Sequence, residues 1–330
     1  MIDFEADLKE LVIKELEYFK IKYSKKDDLF KLLIRYFTFR NKYIIPQKRK
    51  VYISSELAAK LLQLPLDTQE SLEKMYNWVN EGIDINCFQG RGLYGQGSRD
   101  YQNMLYGIVH LHLSANKKDV IPVVKKDGFA KAGRYLLFAL FKEAEAYFID
   151  IVPHPSSLTV ENIETEWTSA KVIKIIESNW PSLLDNTCIK GASLCDGNGE
   201  IIEQTDYDIA ALTAHHITTF IQGKEGLYFT NFGVTTSGDS TMAVMSAQKF
   251  INNARRYQLW YTENEVQIQD TFYLMLKNNG QIVPEKYDIH LDYMSCLNRQ
   301  VILDRKSGVG IDPTDGNVYL FMLENGAIRN

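Results

Sequence analysis

His110-Leu111-His112 is the densest chemical signal in the chain. On a strand, residues i and i+2 share a face, with Cα atoms about 6.5–7 Å apart. The two imidazoles would stand side by side, while Val109, Leu111 and Leu113 fill the opposite, buried face. Adjacent histidines suit an acid–base pair or two ligands of a metal site. A third ligand would come from Asp150, His154 or the pair His215-His216. No HExxH spacing, and no H-x-E with P-C-x-x-C, accompanies them, so neither a metal nor another cofactor is expected. Arg134 opens the next apolar segment, and His154 follows the third, between Pro153 and Pro155. RNA cleavage without metal needs a base for the 2′-hydroxyl, an acid for the leaving 5′-oxygen and a cation for the charged phosphorane. His110, His112, Arg134 and His154 are the right residue types for these catalytic roles. The plainer alternatives are histidines hydrogen-bonded within the fold, an Arg134 salt bridge and a rigid turn at His154.

A second run, Asn231 to Ser240 (NFGVTTSGDS), leads into a helical pattern. Amides at a helix start attract anions, and Thr235, Ser237 and Ser240 add hydroxyl donors, so this run is the candidate anion site. An ordinary helix cap is the alternative reading, and a Ser nucleophile lacks the GxSxG spacing. Residues 82–98 carry five Gly in 17 positions and read as a loop and boundary. No strand precedes Gly90-Arg91-Gly92 and no GKS or GKT follows, so a phosphate cradle is not expected. Arg91 and Arg99 could still touch a partner. Neither loop is apolar enough to be folded away, so both are expected to be exposed. Lys48-Arg49-Lys50 reads as a solvated loop between helices.

The elements that must position these groups follow from periodicity. Asp3 can cap a helix with Phe4, Leu8, Leu11, Val12 and Leu16 on one side. Further helices are expected over 29–39, around Leu57–Leu62 and over 68–79. Asp100 caps a short turn ending at Gly107. Strands are predicted at 108–113, 134–141 and 146–152, the last two joined by the hairpin KEAE. A polar insertion occupies 114–132, and a helix with Trp167 is expected over 160–178. Beyond it come strands at 189–194, 217–221 and 227–231, a helix over 206–215, and helices from Ser240 to about Tyr257 and over 263–276. Strands return at 287–293, 301–303 and 318–323, with Gly308, Gly310 and Asp315-Gly316 as turns. The class is α+β: a helical N-terminal region, a central antiparallel sheet and a C-terminal mixed α/β region. The expected divisions are 1–98, 99–182 and 183–330.

The 330 residues are 45% hydrophobic and 24% charged, an ordinary globular balance that excludes a wholly disordered or collagen-like chain. The net charge of −5 argues against non-specific coating with nucleic acid, so any RNA contact must be local. Four Cys form no CxxC pair, which disfavours a zinc knuckle and fits a reducing cytoplasm. The acidic start has no basic segment before an apolar run, so no signal peptide is expected, and no membrane partner.

The run YGIVHLHLS, followed by GRYLLFALFKEAEAYFIDIVPH, resembles the sheet core of RelE-type toxins in the barnase/colicin ribonuclease superfamily. Such cores carry a basic or His-bearing strand, an Arg-bearing apolar strand, a tight hairpin, another apolar strand and a terminal His or Tyr. The matching positions here are His110 or His112, Arg134 and His154, within residues 106–154. The resemblance implies a metal-independent endoribonuclease or RNA-binding, toxin-like protein of bacterial toxin–antitoxin or phage-defence systems. RNA and a protein partner (an antitoxin or a phage protein) would be its ligands. RelE-type toxins are small and basic, so the flanking regions here would serve recognition or inhibition. Two other classes fit the composition: a non-catalytic interaction or sensor subunit of a defence system, and a metal-dependent hydrolase using His110 and His112.

Overall fold

The computed structural model describes residues 2–94, 100–113, 129, 133–154, 170–202, 204–217, 219–229, 233–294, 299–324 and 327–328. The insertion at 114–132, apart from Phe129, lies outside them, as do Arg99, Trp167 and most of the expected 160–178 helix. The described residues combine helices with several sheets, an α+β architecture. They divide into two compact units. One joins residues 1–37 to 244–330, and the other is the continuous segment 38–243.

The 38–243 unit is built on a four-stranded sheet. Three strands, β2 (Val109–Leu113), β3 (Tyr135–Phe141) and β4 (Glu145–Pro153), pair antiparallel, with the 142–145 hairpin closed by Lys142 N–H to Glu145 O at 2.8 Å. The fourth, β1 (Lys50–Ile53), adds to β4 in parallel, giving the order β1-β4-β3-β2. The sheet is therefore mixed, not purely antiparallel. YLLFALF in β3 is almost continuously apolar because both faces are covered. One face packs Leu111, Leu113, Leu137 and Phe148 against Leu57 of α3 (Ser55–Lys60) and Leu72, Met75 and Val79 of α4 (Leu66–Glu81). The other packs Ile108, Leu136, Phe138 and Ile149 against Leu105 of α5 (Tyr101–Tyr106) and Ile173 and Ile176 of α6 (Lys171–Asn179). A bulge at Ile149 shifts the β3–β4 register between Phe138 and Ala139.

The basic cluster is only in part a solvated loop: Lys48 and Lys50 are exposed, but Arg49 is not. Lys50 starts β1, and Arg49 is buried, its guanidinium donating to the carbonyls of Lys142 (2.7 Å) and Ile45 (2.8 Å). With its several N–H groups, one arginine satisfies more than one carbonyl at once. The same unit holds a small sheet of β5 (Cys188–Lys190), β6 (Phe220–Gln222) and β7 (Gly226–Phe229), with α7 (Asp206–Ala214). Buried Glu177 anchors its turn by accepting the Lys224 amide (2.8 Å), the Glu225 amide (3.1 Å) and the Tyr228 hydroxyl (2.7 Å).

In the other unit, α1 (Phe4–Tyr18) is capped by Asp3, which accepts the Ala6 amide at 3.0 Å. It packs on the meander β8 (Ile289–Met294), β9 (Arg299–Asp304), β10 (Val309–Ile311) and β11 (Val318–Leu320). Gly310 lies in a strand instead of a turn. A Cβ there would stand 2.9 Å from the Phe321 ring and 3.1 Å from the Ile302 carbonyl, so any side chain at 310 would have to displace that ring. The two helices expected after Ser240 form one run, α8 (Thr241–Asn278), interrupted at Asn264 (φ −119°, ψ 17°). The helix α2 (Leu29–Lys42) completes the described helices.

Candidate active site

In β2 the pattern behaves as the alternation predicts on one side: Leu111 and Leu113 are fully buried against α4. The histidine face is not an open polar surface, however. Ile108 on that face is buried, His112 is only 9% exposed and His110 is half-buried. Ladder partners share a face, and His112, Leu136 and Val152 lie directly opposite one another. Two residues along, the His154 amide donates to the Arg134 carbonyl at 2.7 Å. Arg134 and His154 therefore belong to the His112 face, at the end of the sheet, and both are exposed.

The three imidazoles form a row. His110 and His112 have ring centroids 5.9 Å apart, nearly perpendicular at 80°. His112 and His154 are stacked, 5.2 Å apart at 28°. Ring nitrogens project in the ring plane, so two stacked imidazoles do not aim their lone pairs at one point. Among the described residues, no group of three or more His, Cys, Asp or Glu side chains is arranged to hold a metal ion. Asp150, weighed as a third ligand, is buried and bridged by Lys60 (2.5 Å) and Lys171 (2.9 Å). His215 is exposed, and His216 Nδ1 contacts the Thr236 carbonyl at 3.1 Å, which ties it to the 233–240 loop.

Asp100 anchors the inner end of the row. Its Oδ1 accepts the Asn103 amide at 3.1 Å and caps α5, while Oδ2 lies 3.2 Å from His110 Nδ1. Burial by itself would raise this carboxyl's pKa. The opposing pull of His110, of Lys42 and of the Asn103 amide outweighs it and holds the group below the usual carboxylate range. Lys42 is buried, which pushes its ammonium pKa down against the attraction of Asp100. Sequence reasoning assigns Asp100 only the helix cap. The further signal was its position: α5 is six residues long and turns at Gly107 (φ +69°) directly into the histidine strand.

The glycine-rich segment also meets this row. A Cβ at Gly90 would stand 3.5 Å from His112 Nε2, so the backbone at 90 lies against the imidazole. Contrary to the expected exposure, Ile85, Phe88 and Leu93 are buried. So is Asn86, whose amide group donates to the Ile44 carbonyl (2.7 Å) and accepts the Ile44 amide (2.9 Å). Three apolar anchors and one backbone-mimicking amide fold a loop inward despite its glycines. The Arg91 side chain and Arg99 lie outside the described residues.

The second candidate loop is self-contained. Val234 and Ser240 form a bridge, and the Thr235 hydroxyl meets Ser237 (2.8 Å) and accepts the Asp239 amide (3.1 Å). Ser237 donates to the Asp239 carboxylate at 2.8 Å. Ser240 is buried and faces the Ala243 amide at 3.5 Å. The hydroxyls of Thr235 and Ser237 are thus engaged within the loop, one of them on the Asp239 carboxylate. No protein-family model, curated protein or solved structure matches this chain.

Proposed function

We propose that the protein is a metal-independent endoribonuclease whose site is the row His110–His112–His154 with Arg134. The observation that carries this reading is the ring row itself, running from an anchored, ionised Asp100 to an exposed His154 beside an exposed Arg134. In the proposed reaction, a base removes the 2′-hydroxyl proton and the 2′-oxygen attacks phosphorus. The P–O5′ bond breaks, and an acid protonates the departing 5′-oxygen. His154 and Arg134, being exposed, would meet the phosphate: His154 in proton transfer, Arg134 on the phosphorane oxygens. His112 would back His154, and Asp100 would fix the His110 ring. The likeness of 106–154 to RelE-type cores supports the same chemistry, and a toxin–antitoxin or phage-defence role follows from it by analogy. The protein would be cytoplasmic, with RNA and an antitoxin or phage protein as partners.

The test is cleavage of a defined RNA by the wild type and by His154→Ala, His112→Ala and Arg134→Ala. Each variant should lose about 10²–10⁴ in rate while keeping its circular dichroism spectrum. Chelator should change nothing. Activity that dies with EDTA and returns with a divalent metal would replace this reading with the metal-dependent hydrolase. The burial of His112 favours a second reading, in which the histidines are structural and the protein is a non-catalytic interaction or sensor subunit of a defence system. Absence of cleavage, together with no RNA retention at low salt, would select it.

A further inference from the structure

The long helix α8 has two distinct faces. Ile251, Ala254, Tyr257 and Tyr261 before the Asn264 interruption are buried, and so are Ile268, Phe272 and Leu276 after it. The interruption therefore keeps the helical phase. On the opposite face stand Met245, Asn252, Leu259, Val266 and Tyr273, each seven residues from the next and all exposed. A seven-residue repeat is the spacing with which one helix holds a single seam against another. Within this chain the seam is uncovered: Leu259 is 66% exposed and Val266 75%.

Charge along the seam is divided between its halves. Lys249 and Arg256 flank it before Leu259, and Glu263 and Asp270 after it, again at seven-residue steps and again exposed. A parallel copy would set like charge on like. An antiparallel copy, related by a two-fold axis at Leu259, brings Met245 opposite Tyr273, Asn252 opposite Val266 and Leu259 opposite its own equivalent. It also sets Lys249 against the partner's Asp270 and Arg256 against the partner's Glu263, and the symmetry makes each contact twice. The interruption adds a matching shape. It opens a depression of about 470 Å³ lined by Glu263, Glu265 and Asp270, and no basic residue lines it. We propose that this face of α8 is a homodimer interface: two copies of the chain pack α8 antiparallel about Leu259, with Arg256 of each in the acidic depression of the other. The interface is independent of the histidine row and of any ribonuclease activity.

Sedimentation equilibrium of the full chain, from about 1 μM to about 1 mM, should show a reversible monomer–dimer equilibrium. No larger species should form, because a two-fold interface closes on itself. Leu259→Lys puts two ammonium groups on the axis and should leave only monomer. Arg256→Glu sets carboxylate against carboxylate at both symmetric contacts and should weaken dimerisation at least about tenfold. Adding Glu263→Arg to it exchanges the two charges and should restore the wild-type association. All three positions are exposed, so the circular dichroism spectrum should not change. A chain that stays monomeric throughout would overturn the proposal and leave this face to a partner of another kind. A dimer that survives Leu259→Lys, or a double reversal no tighter than the single one, would overturn it as well. Should Arg256→Glu not fold, the concentration series together with Leu259→Lys decides.

Discussion

At the scale of single residues, the two oxygens of Asp100 do separate work, and a substitution can divide them. Asn caps helices about as well as Asp, so Asp100→Asn keeps α5 but removes the charge facing His110 and Lys42. The variant should unfold more easily by about 1–3 kcal/mol at pH 7, read by urea denaturation. Because the folded-state pKa of Asp100 is depressed, its contribution is fully present above the unfolded value of about 3.9 and is lost as pH falls through the folded value. The gap between wild type and variant should therefore close below about pH 4. A second residue-scale expectation concerns thiols. Burial, with Asp84 nearby, pushes the Cys87 pKa up to about 11, whereas Cys195 is exposed. Thiolate is the reactive form, so iodoacetamide at pH 8 should label Cys195 in the native protein and Cys87 only after denaturation. Peptide mapping by mass spectrometry reads both.

At the scale of elements, Ser54 is the joint where β1, α3 and the β4 bulge meet. It is fully buried. Its hydroxyl accepts the Leu57 amide at 2.9 Å and donates to the Ile149 carbonyl at 2.5 Å. Its own amide donates to the Phe148 carbonyl at 3.1 Å. Ser54→Ala removes the cap and orphans the Ile149 carbonyl, so a loss of about 2–3 kcal/mol is expected from the two effects together. Ser54→Thr should recover part of it if the extra methyl fits. Chemical denaturation of both variants checks the ranking. The same joint explains why the parallel strand exists. After Ile53 the chain must leave the β4 edge, and the Ser54 cap turns it directly into a helix that covers the sheet.

At the scale of the molecule, the chain begins and ends in one compact unit, with α1 contributing Phe4, Leu8, Val12 and Leu16, all nearly inaccessible. Asp7 joins α1 to the meander through the His290 ring (2.8 Å) and the Leu291 amide (2.9 Å). Phe4→Ala should cost about 3–5 kcal/mol. Hydrogen exchange should then rise first in 289–304 and leave 109–113 and 135–153 protected, because the two stretches belong to different units. Simultaneous loss of protection in both would show that the units unfold as one. Charge makes a further whole-molecule prediction. With a net charge of −5, the RNA binding proposed above would rest on a few local cations and should fall steeply between about 50 and 200 mM salt. Filter binding at the two concentrations reads it.

What the sequence determined by itself is local. Alternation placed Leu111 and Leu113 in a core, KEAE closed the β3–β4 hairpin, and Asp3 and Asp100 marked helix starts, because capping and pleating depend only on near neighbours. That the chain combines helices with sheets was legible for the same reason, and so were His110 and His112 as neighbours on one face. Tertiary structure alone decided the rest. It stacked His154 on His112, set Asp100 against His110, buried Arg49 on carbonyls of a distant hairpin and folded the 85–93 loop inward. It also added β1 to β4 across ninety residues of chain. Each of these depends on a partner far away in sequence. A polar side chain's role is set by which unpaired group the fold brings within about 3 Å, and periodicity holds no record of that distance.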